Sequence, residues 1–347
     1  MKGRLGKGLA ALAAGMVLLS GCASGKAPER FTESFVGLFD TASTVTGYAE
    51  SEQDFSDQMT RYEELLSEYD RLYDIYNDYD GINNLKTVND QAGKAPVEVD
   101  QRIIDLLQFG KEVCTLSDGR VNICFGSVLS IWHDYREAGL EDPAAAELPL
   151  QQALEAAAKH TNIDDLVIDE PSGTVYLADA EMQLDVGAIA KGYSAQRAAE
   201  KLSEEYDINA VFSIGGNVTT VGWKEGKEEN PWVIGVENPD GGDYLMTVSV
   251  PAGMSLVTSG DYQRYYTVDG KNYHHIISPD TLYPAEYLRA VSVLASDSGL
   301  ADALSTALFL MTPEQGEQLI DSMDGVEAVW VTDDGVFQSD GFSQYIR

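Results

Sequence analysis

The second half of the chain is a succession of short apolar runs set between turn residues, and this constrains the fold more than any other feature. Strand-like runs fall at 182–186, 209–214, 232–237, 244–250, 262–268, 273–278 and 289–295. A hairpin, DLVIDEPSGTVYL, precedes them with Pro171-Ser172-Gly173 as its turn, and VEAVWV with GVFQS closes the chain as another. Only two helical stretches interrupt, at 187–206 and 298–311. A regular βαβ series needs a helix between successive strands, so this pattern predicts an α+β fold of mixed or antiparallel sheets with interleaved helices.

The first half adds helices. FVGLFDTASTVTGYA has the β-branched and aromatic content of a strand. From Asp54 to about Asn77, Met59, Tyr62, Leu65, Leu66, Tyr69, Leu72, Tyr73 and Tyr76 recur at helical steps, predicting an amphipathic helix with a tyrosine-rich core face. NDYDGINNLKTVNDQAGKAP reads as a long loop, and a second helix spans Val99 to Thr115. SDGR then turns into the strand-like VNICF, followed by a helix through Trp132 and Tyr135, a break at Pro143 and Pro149, and a short helix. No repeat or interior linker divides residues 33–347, which are read as one domain.

The first residues carry Lys2, Arg4 and Lys7, then an apolar run from Leu9 to Leu19 that is too short for a stable membrane span. Its ending, Leu19-Ser20-Gly21-Cys22, resembles the bacterial lipobox, which implies a leader over 1–21, lipidation of Cys22 and a polar tether over 22–32. The expected location is then the extracytoplasmic face of a bacterial cell membrane. An uncleaved leader with a chance cysteine is the alternative. Net charge is −34, which repels nucleic acid and leaves any phosphate-bearing ligand in need of a cation. Cys114 and Cys124 are read either as a disulfide across SDGR or as two separately buried thiols.

Four segments carry candidate chemistry. In GLADALSTALFLM, Asp302, Ser305 and Thr306 share one face of an otherwise apolar helix. Either they cap and back-bond locally, or they supply oxygens to a hard cation such as Mg²⁺. In LDVGAIAKGY, Asp185 and Gly187 precede a helix start, where free N–H groups suit an anion. Lys191 lies in the first turns, where the dipole disfavours a cation, so it serves a ligand anion or is simply solvated. Gly215-Gly216 after an apolar strand makes a sharp turn or lets backbone approach a ligand. His274 and His275, two of four histidines, are ordinary hydrogen-bonded residues or include a base.

Taken in order, DVGAIAKGY, GGNV, TSGDYQR, HIISP with TLYP, and ADALSTALF resemble the ApbE-like family, the FAD:protein FMN transferases, from about Phe35 to the C-terminus. The resemblance implies an ApbE-like fold and a Mg²⁺-dependent transfer of FMN from FAD to a threonine hydroxyl of an acceptor flavoprotein, with AMP released. It implies flavin-nucleotide contacts at Asp185, Lys191, Arg120, Val121, Asn122 and Ile277, with Gly215 and Gly216 beside them. It also implies metal ligation by the Ala188 carbonyl, Asp302 and Thr306, with Ser305 adjacent, and His275 or Asp302 as general base. Implied acceptors are exported proteins with FMN-binding domains, such as Rnf- and Nqr-type subunits. Water as acceptor would make the protein an FAD pyrophosphatase, and loss of catalysis would leave a flavin-binding lipoprotein. Asn122 and Ser278 stand where the family usually has Asp.

Overall fold

The computed structural model describes residues 27–347, so the leader, Cys22 and the start of the tether lie outside the described residues. The chain enters on a hairpin of β1 (Glu29–Leu38) and β2 (Thr41–Ala49). One expected strand is therefore two, and the tether expected to reach residue 32 gives way to β1 at Glu29. The cause is the turn. Phe39 and Asp40 both take φ 51, the left-handed pair of a tight hairpin turn, which their side chains do not announce. Tertiary bonds impose it: Phe39 N–H donates to Asp70 Oδ1 at 2.8 Å, and Arg264 Nη2 donates to the carbonyls of Phe39 and Asp40 at 3.4 and 3.1 Å.

α1 (Glu52–Tyr73) is capped by Ser51, whose hydroxyl accepts from Asp54 N–H. It ends before Tyr76, and the stretch expected as loop contains α2 (Leu85–Asp90), capped by Asn84. β3 (Val97–Glu98), α3 (Gln101–Leu116), α4 (Gly126–Glu141) and α5 (Gln151–Ala157) lead to the anticipated hairpin of β4 (Leu166–Asp169) and β5 (Thr174–Leu177). Next come α6 (Ala190–Glu205), β6 (Asn209–Ile214), β7 (Asn217–Val221), β8 (Trp232–Val236), β9 (Met246–Val250), β10 (Ser255–Gly260), β11 (Tyr265–Val268) and β12 (Lys271–His274). β13 (Ala290–Ala295), α7 (Ser298–Phe309), α8 (Pro313–Asp321), β14 (Glu327–Thr332) and β15 (Gly335–Gln338) complete the chain.

Eight strands form one antiparallel sheet in the order β1-β2-β6-β7-β10-β13-β14-β15, and the other strands form three small sheets. The fold is α+β. β13 is buried at every residue, as a central strand covered on both faces must be. α7 packs on β10 and β13 and alongside α6, which in turn lies against α1. Among the described residues no helix is long and apolar enough to cross a membrane.

Two expected strands are absent. VNICF folds into a turn closed by Phe125 N–H to Asn122 O at 3.0 Å, and 182–186 is irregular; two backbone bonds join them, Asp185 N–H to Ile123 O at 2.8 Å and Gly126 N–H to Gln183 O at 3.1 Å. Their apolar residues Val121, Ile123, Met182 and Leu184 are buried in the main core, so their hydrophobicity reports burial rather than strand pairing. Similarly, the run at 273–278 leaves the ladder after His274.

Candidate active site

A cavity of about 830 Å³ opens where the β1–β2 turn, the chain after α1, residues 120–125, the start of α6, the β6–β7 turn, β10 and α7 converge. Of the residues singled out in the sequence, Arg120, Val121, Asn122, Asp185, Ala188, Lys191, Gly215, His275, Ile277, Asp302 and Thr306 line it. Gly216 and Ser305 are not among its lining residues. Ser305 is fully buried, its hydroxyl donating to the Asp302 carbonyl at 2.9 Å and meeting Ser259 Oγ at 2.8 Å. That places it behind the wall, fixing α7 to β10.

Asp302 is 3% exposed. A carboxylate at that depth needs partners, and it has two: Gly192 N–H donates to Oδ2 at 2.8 Å, and Lys191 Nζ stands 3.7 Å from Oδ1. The contact requires α6 and α7 to approach almost backbone to backbone. A Cβ on Gly192 would lie 2.3 Å from Ser298 O and 2.5 Å from Asp302 Cβ, so only glycine fits there. Lys191 also donates to Gly187 O at 3.5 Å. The Asp185 carboxylate accepts from Gly187 N–H at 2.8 Å; burial in the cleft pushes its carboxyl above the ordinary range, and that N–H offsets part of the shift.

Asn122 and Ser278, where the resemblance leads one to expect Asp, are both engaged by the backbone. Asn122 uses both ends of its amide, donating to Thr161 O at 2.8 Å and accepting from Cys124 N–H at 2.9 Å. A carboxylate cannot make the first of these bonds. Ser278 is buried, and its hydroxyl accepts from Asp280 N–H at 3.2 Å, capping the turn beyond the cavity. Arg120 reaches Asp280 at 3.3 Å. Cys114 and Cys124 stand as buried free thiols, and burial pushes Cys124 up to about 12.

The two histidines divide. His274 lies outside the cavity, with Nε2 against Ala285 O at 2.8 Å and Nδ1 accepting from Ile276 N–H at 3.2 Å; burial lowers its pKa. His275 lines the cavity with Nδ1 against Arg264 O at 3.2 Å, which assigns the proton to Nδ1 and leaves Nε2 an acceptor. Burial first, then the neighbouring charges of Arg264 and Lys191, push it down to about 3, so the ring is neutral.

Sequence reasoning missed a second wall. Tyr76, read as the last residue of a helical stripe, lies beyond the end of α1 and stacks on His133 with ring centroids 5.0 Å apart. Arg136 Nη2 meets His133 Nδ1 at 2.9 Å, and all three residues line the cavity with Arg264 and Asn217. The helix stop after Tyr73 has no proline or glycine to mark it. His133 and Arg136, one helical turn apart, were the signal available.

Among the described residues, no group of three or more His, Cys, Asp or Glu is placed to hold a metal. A hard cation here would rely on a single carboxylate, a hydroxyl, carbonyls and ligand oxygens. Asp302, Thr306 and Ala188 supply that donor class at one wall, which fits Mg²⁺ better than a softer ion.

A family model described as the ApbE family matches residues 39–330. The FAD:protein FMN transferase of Klebsiella pneumoniae (strain 342) is 32% identical over 276 residues, covering 78% of this chain and 83% of that one. Its counterpart in Treponema pallidum (strain Nichols) is 35% identical over 266 residues, covering 72% and 71%. The crystal structure of the ApbE protein from Thermotoga maritima has a TM-score of 0.79 at 28% identity, over 92% of this chain and 100% of that one.

Proposed function

The chain belongs to the ApbE family, and from that premise we propose that its cavity binds FAD and passes FMN to a threonine hydroxyl of a partner flavoprotein, releasing AMP. At the coarser level it is an enzyme, a flavin transferase like the relatives it matches. One observation carries the finer reading. Lys191, Asp185, Asp302 and Thr306 meet at one wall of a cavity whose volume falls within the usual range for small-molecule and cofactor sites.

Transfer of a phosphoryl-type group is catalysed chiefly by positioning and charge stabilisation. Asp302, Thr306 and the Ala188 carbonyl would hold Mg²⁺, which, when bound, offsets phosphate charge in this acidic protein. Lys191, held by Gly187 O and Asp302, presents its ammonium to the same region and orients the pyrophosphate. The acceptor hydroxyl oxygen bonds to the FMN-side phosphorus, the bond to the AMP phosphate breaks, and AMP departs with that bridging oxygen. His275, with a free Nε2, is the better placed of the two candidate bases for the hydroxyl proton, since both Asp302 oxygens already have partners. An anionic ligand beside Lys191 and Arg264 would relieve the charge that depresses His275.

The acceptor is read as an exported protein with an FMN-binding domain, of the Rnf or Nqr kind. The LSGC ending supports a lipid anchor at Cys22 on the extracytoplasmic side of a bacterial membrane. Purified protein, FAD, Mg²⁺ and an FMN-binding domain are mixed and the acceptor is weighed by mass spectrometry. An FMN-sized increase that needs both Mg²⁺ and the acceptor threonine is expected. Free FMN with an unmodified acceptor would replace transfer by hydrolysis, and intact FAD would leave a binding protein. For the anchor, lipid labelling that disappears in Cys22→Ala is expected.

A further inference from the structure

Asn217 opens β7 directly after the Gly215-Gly216 turn and lines the cavity. It is 1% exposed, and its carboxamide Nδ2 meets no hydrogen-bond partner among the described residues. Buried polar groups are almost always paired, so an amide left unpaired at a cavity wall calls for an explanation. Its surroundings give one. Gly216 takes φ +90, and a Cβ there would stand 3.4 Å from Gln263 Nε2, so the Gln263 amide lies against the turn that leads into Asn217. Gln263 and Glu237 both line the same cavity.

We propose that Asn217, with Gln263 and Glu237, forms a subsite that reads the hydrogen-bonding edge of a planar nitrogen heterocycle. The inference rests on the flavin-dinucleotide reading of the cavity and deepens it. Two amide donors and a carboxylate acceptor complement an edge on which ring nitrogens or carbonyls alternate with an N–H. A phosphate fits poorly, because Glu237 would repel it. Both heads of FAD carry such an edge: the pyrimidine side of the flavin ring and the amino side of adenine. Stacking cannot tell such heads apart, since every ring has a π-face, whereas an edge read by fixed donors can. Asn217 is well suited to fixed reading: its strand is paired on both sides, Asn217 itself opposing Ile214 of β6 and Val257 of β10.

The test compares the full chain with Asn217→Asp, which keeps the shape and replaces the donor by an acceptor, and with Gln263→Leu on the rim. Binding of FMN, of AMP and of FAD is measured for each by titration calorimetry, with thermal melting as the check on folding. In Asn217→Asp the dissociation constant for one mononucleotide, FMN or AMP, should rise about tenfold while the other moves less than twofold. Gln263→Leu should weaken the same one by a smaller factor. The mononucleotide affected names the head that is read. Unchanged affinity for both, or an equal loss for both, overturns the assignment. If Asn217→Asp melts too early to be measured, Gln263→Leu decides by the same criterion. Failure of the unaltered chain to bind FAD would instead remove the reading of the cavity itself.

Discussion

The two sides of the cavity are built in opposite ways. On one side α6 and α7 press together through Gly192, and Asp302 is held by an N–H from the neighbouring helix. On the other, Tyr76 hangs half-exposed from a loop and leans on His133, which Arg136 steadies. Helix packing at Gly192 leaves the first wall no room for even a methyl group. The second consists of side chains with room to move. The comparison suggests a division of labour: charge is handled where the backbone is rigid, and contact with a ring face where a surface can adapt.

Removing the carboxylate from the rigid side should have the largest effect. Asp302→Ala should lower FMN transfer by about a thousandfold, the scale for losing a preorganised electrostatic group, as read from initial rates with an acceptor domain. Equal activity in this variant would break the contrast outright. Gly192→Ala tests the packing itself. Its methyl group would collide with Ser298 O, so the variant should lose about 1–3 kcal/mol of stability and most of its activity together. Chemical denaturation and rate measurements on the same sample check both.

Asn122→Asp moves to the wall between the two. The introduced carboxylate faces Thr161 O, whose bond it cannot replace, at a cost of about 1–3 kcal/mol. His275 offers a pH effect. Its neutral ring, down at about 3 against an ordinary 6.5, resists protonation when folded and accepts it when unfolded. Stability should therefore fall as pH drops from about 6.5 towards 3, and His275→Gln should flatten that part of the urea-midpoint profile. The smallest effect belongs to the adaptable side. Tyr76→Leu should weaken FAD binding by about 1 kcal/mol, and Tyr76→Phe by almost nothing, in fluorescence titrations. If Tyr76→Leu abolished transfer as Asp302→Ala does, the division would have to be abandoned.

How legible each wall was follows from the same difference. The Asp302 stripe was visible because three oxygen-bearing residues on a buried helical face demand partners. The Gly192 approach belongs to a motif read only as a lysine and a turn, since its meaning depends on which helix arrives opposite. Tyr76 fitted the apolar stripe of α1, and the helix ends at Tyr73 without proline or glycine, because the Asp74 carboxylate takes the N–H groups of Tyr76 and Asn77 at 2.6 and 3.0 Å. VNICF and 182–186 looked like strands because they are buried, and burial in a core writes the same letters as burial in a sheet. The β1–β2 turn was hidden for the converse reason: Phe39, the first of its two left-handed residues, is no turn former and masks Asp40, and it is held by Arg264 from 225 residues away.

That long reach bears on how the protein comes into being. The turn at Phe39 leaves the ribosome early, Arg264 emerges much later, and the strand and helix of 290–309 follow later still. Until β13 enters beside β10, the growing polypeptide holds neither the far edge of its main sheet nor Asp302. A chain cut before β13 would therefore lack the Asp302 wall of the cavity altogether, on whichever side of a membrane it folds.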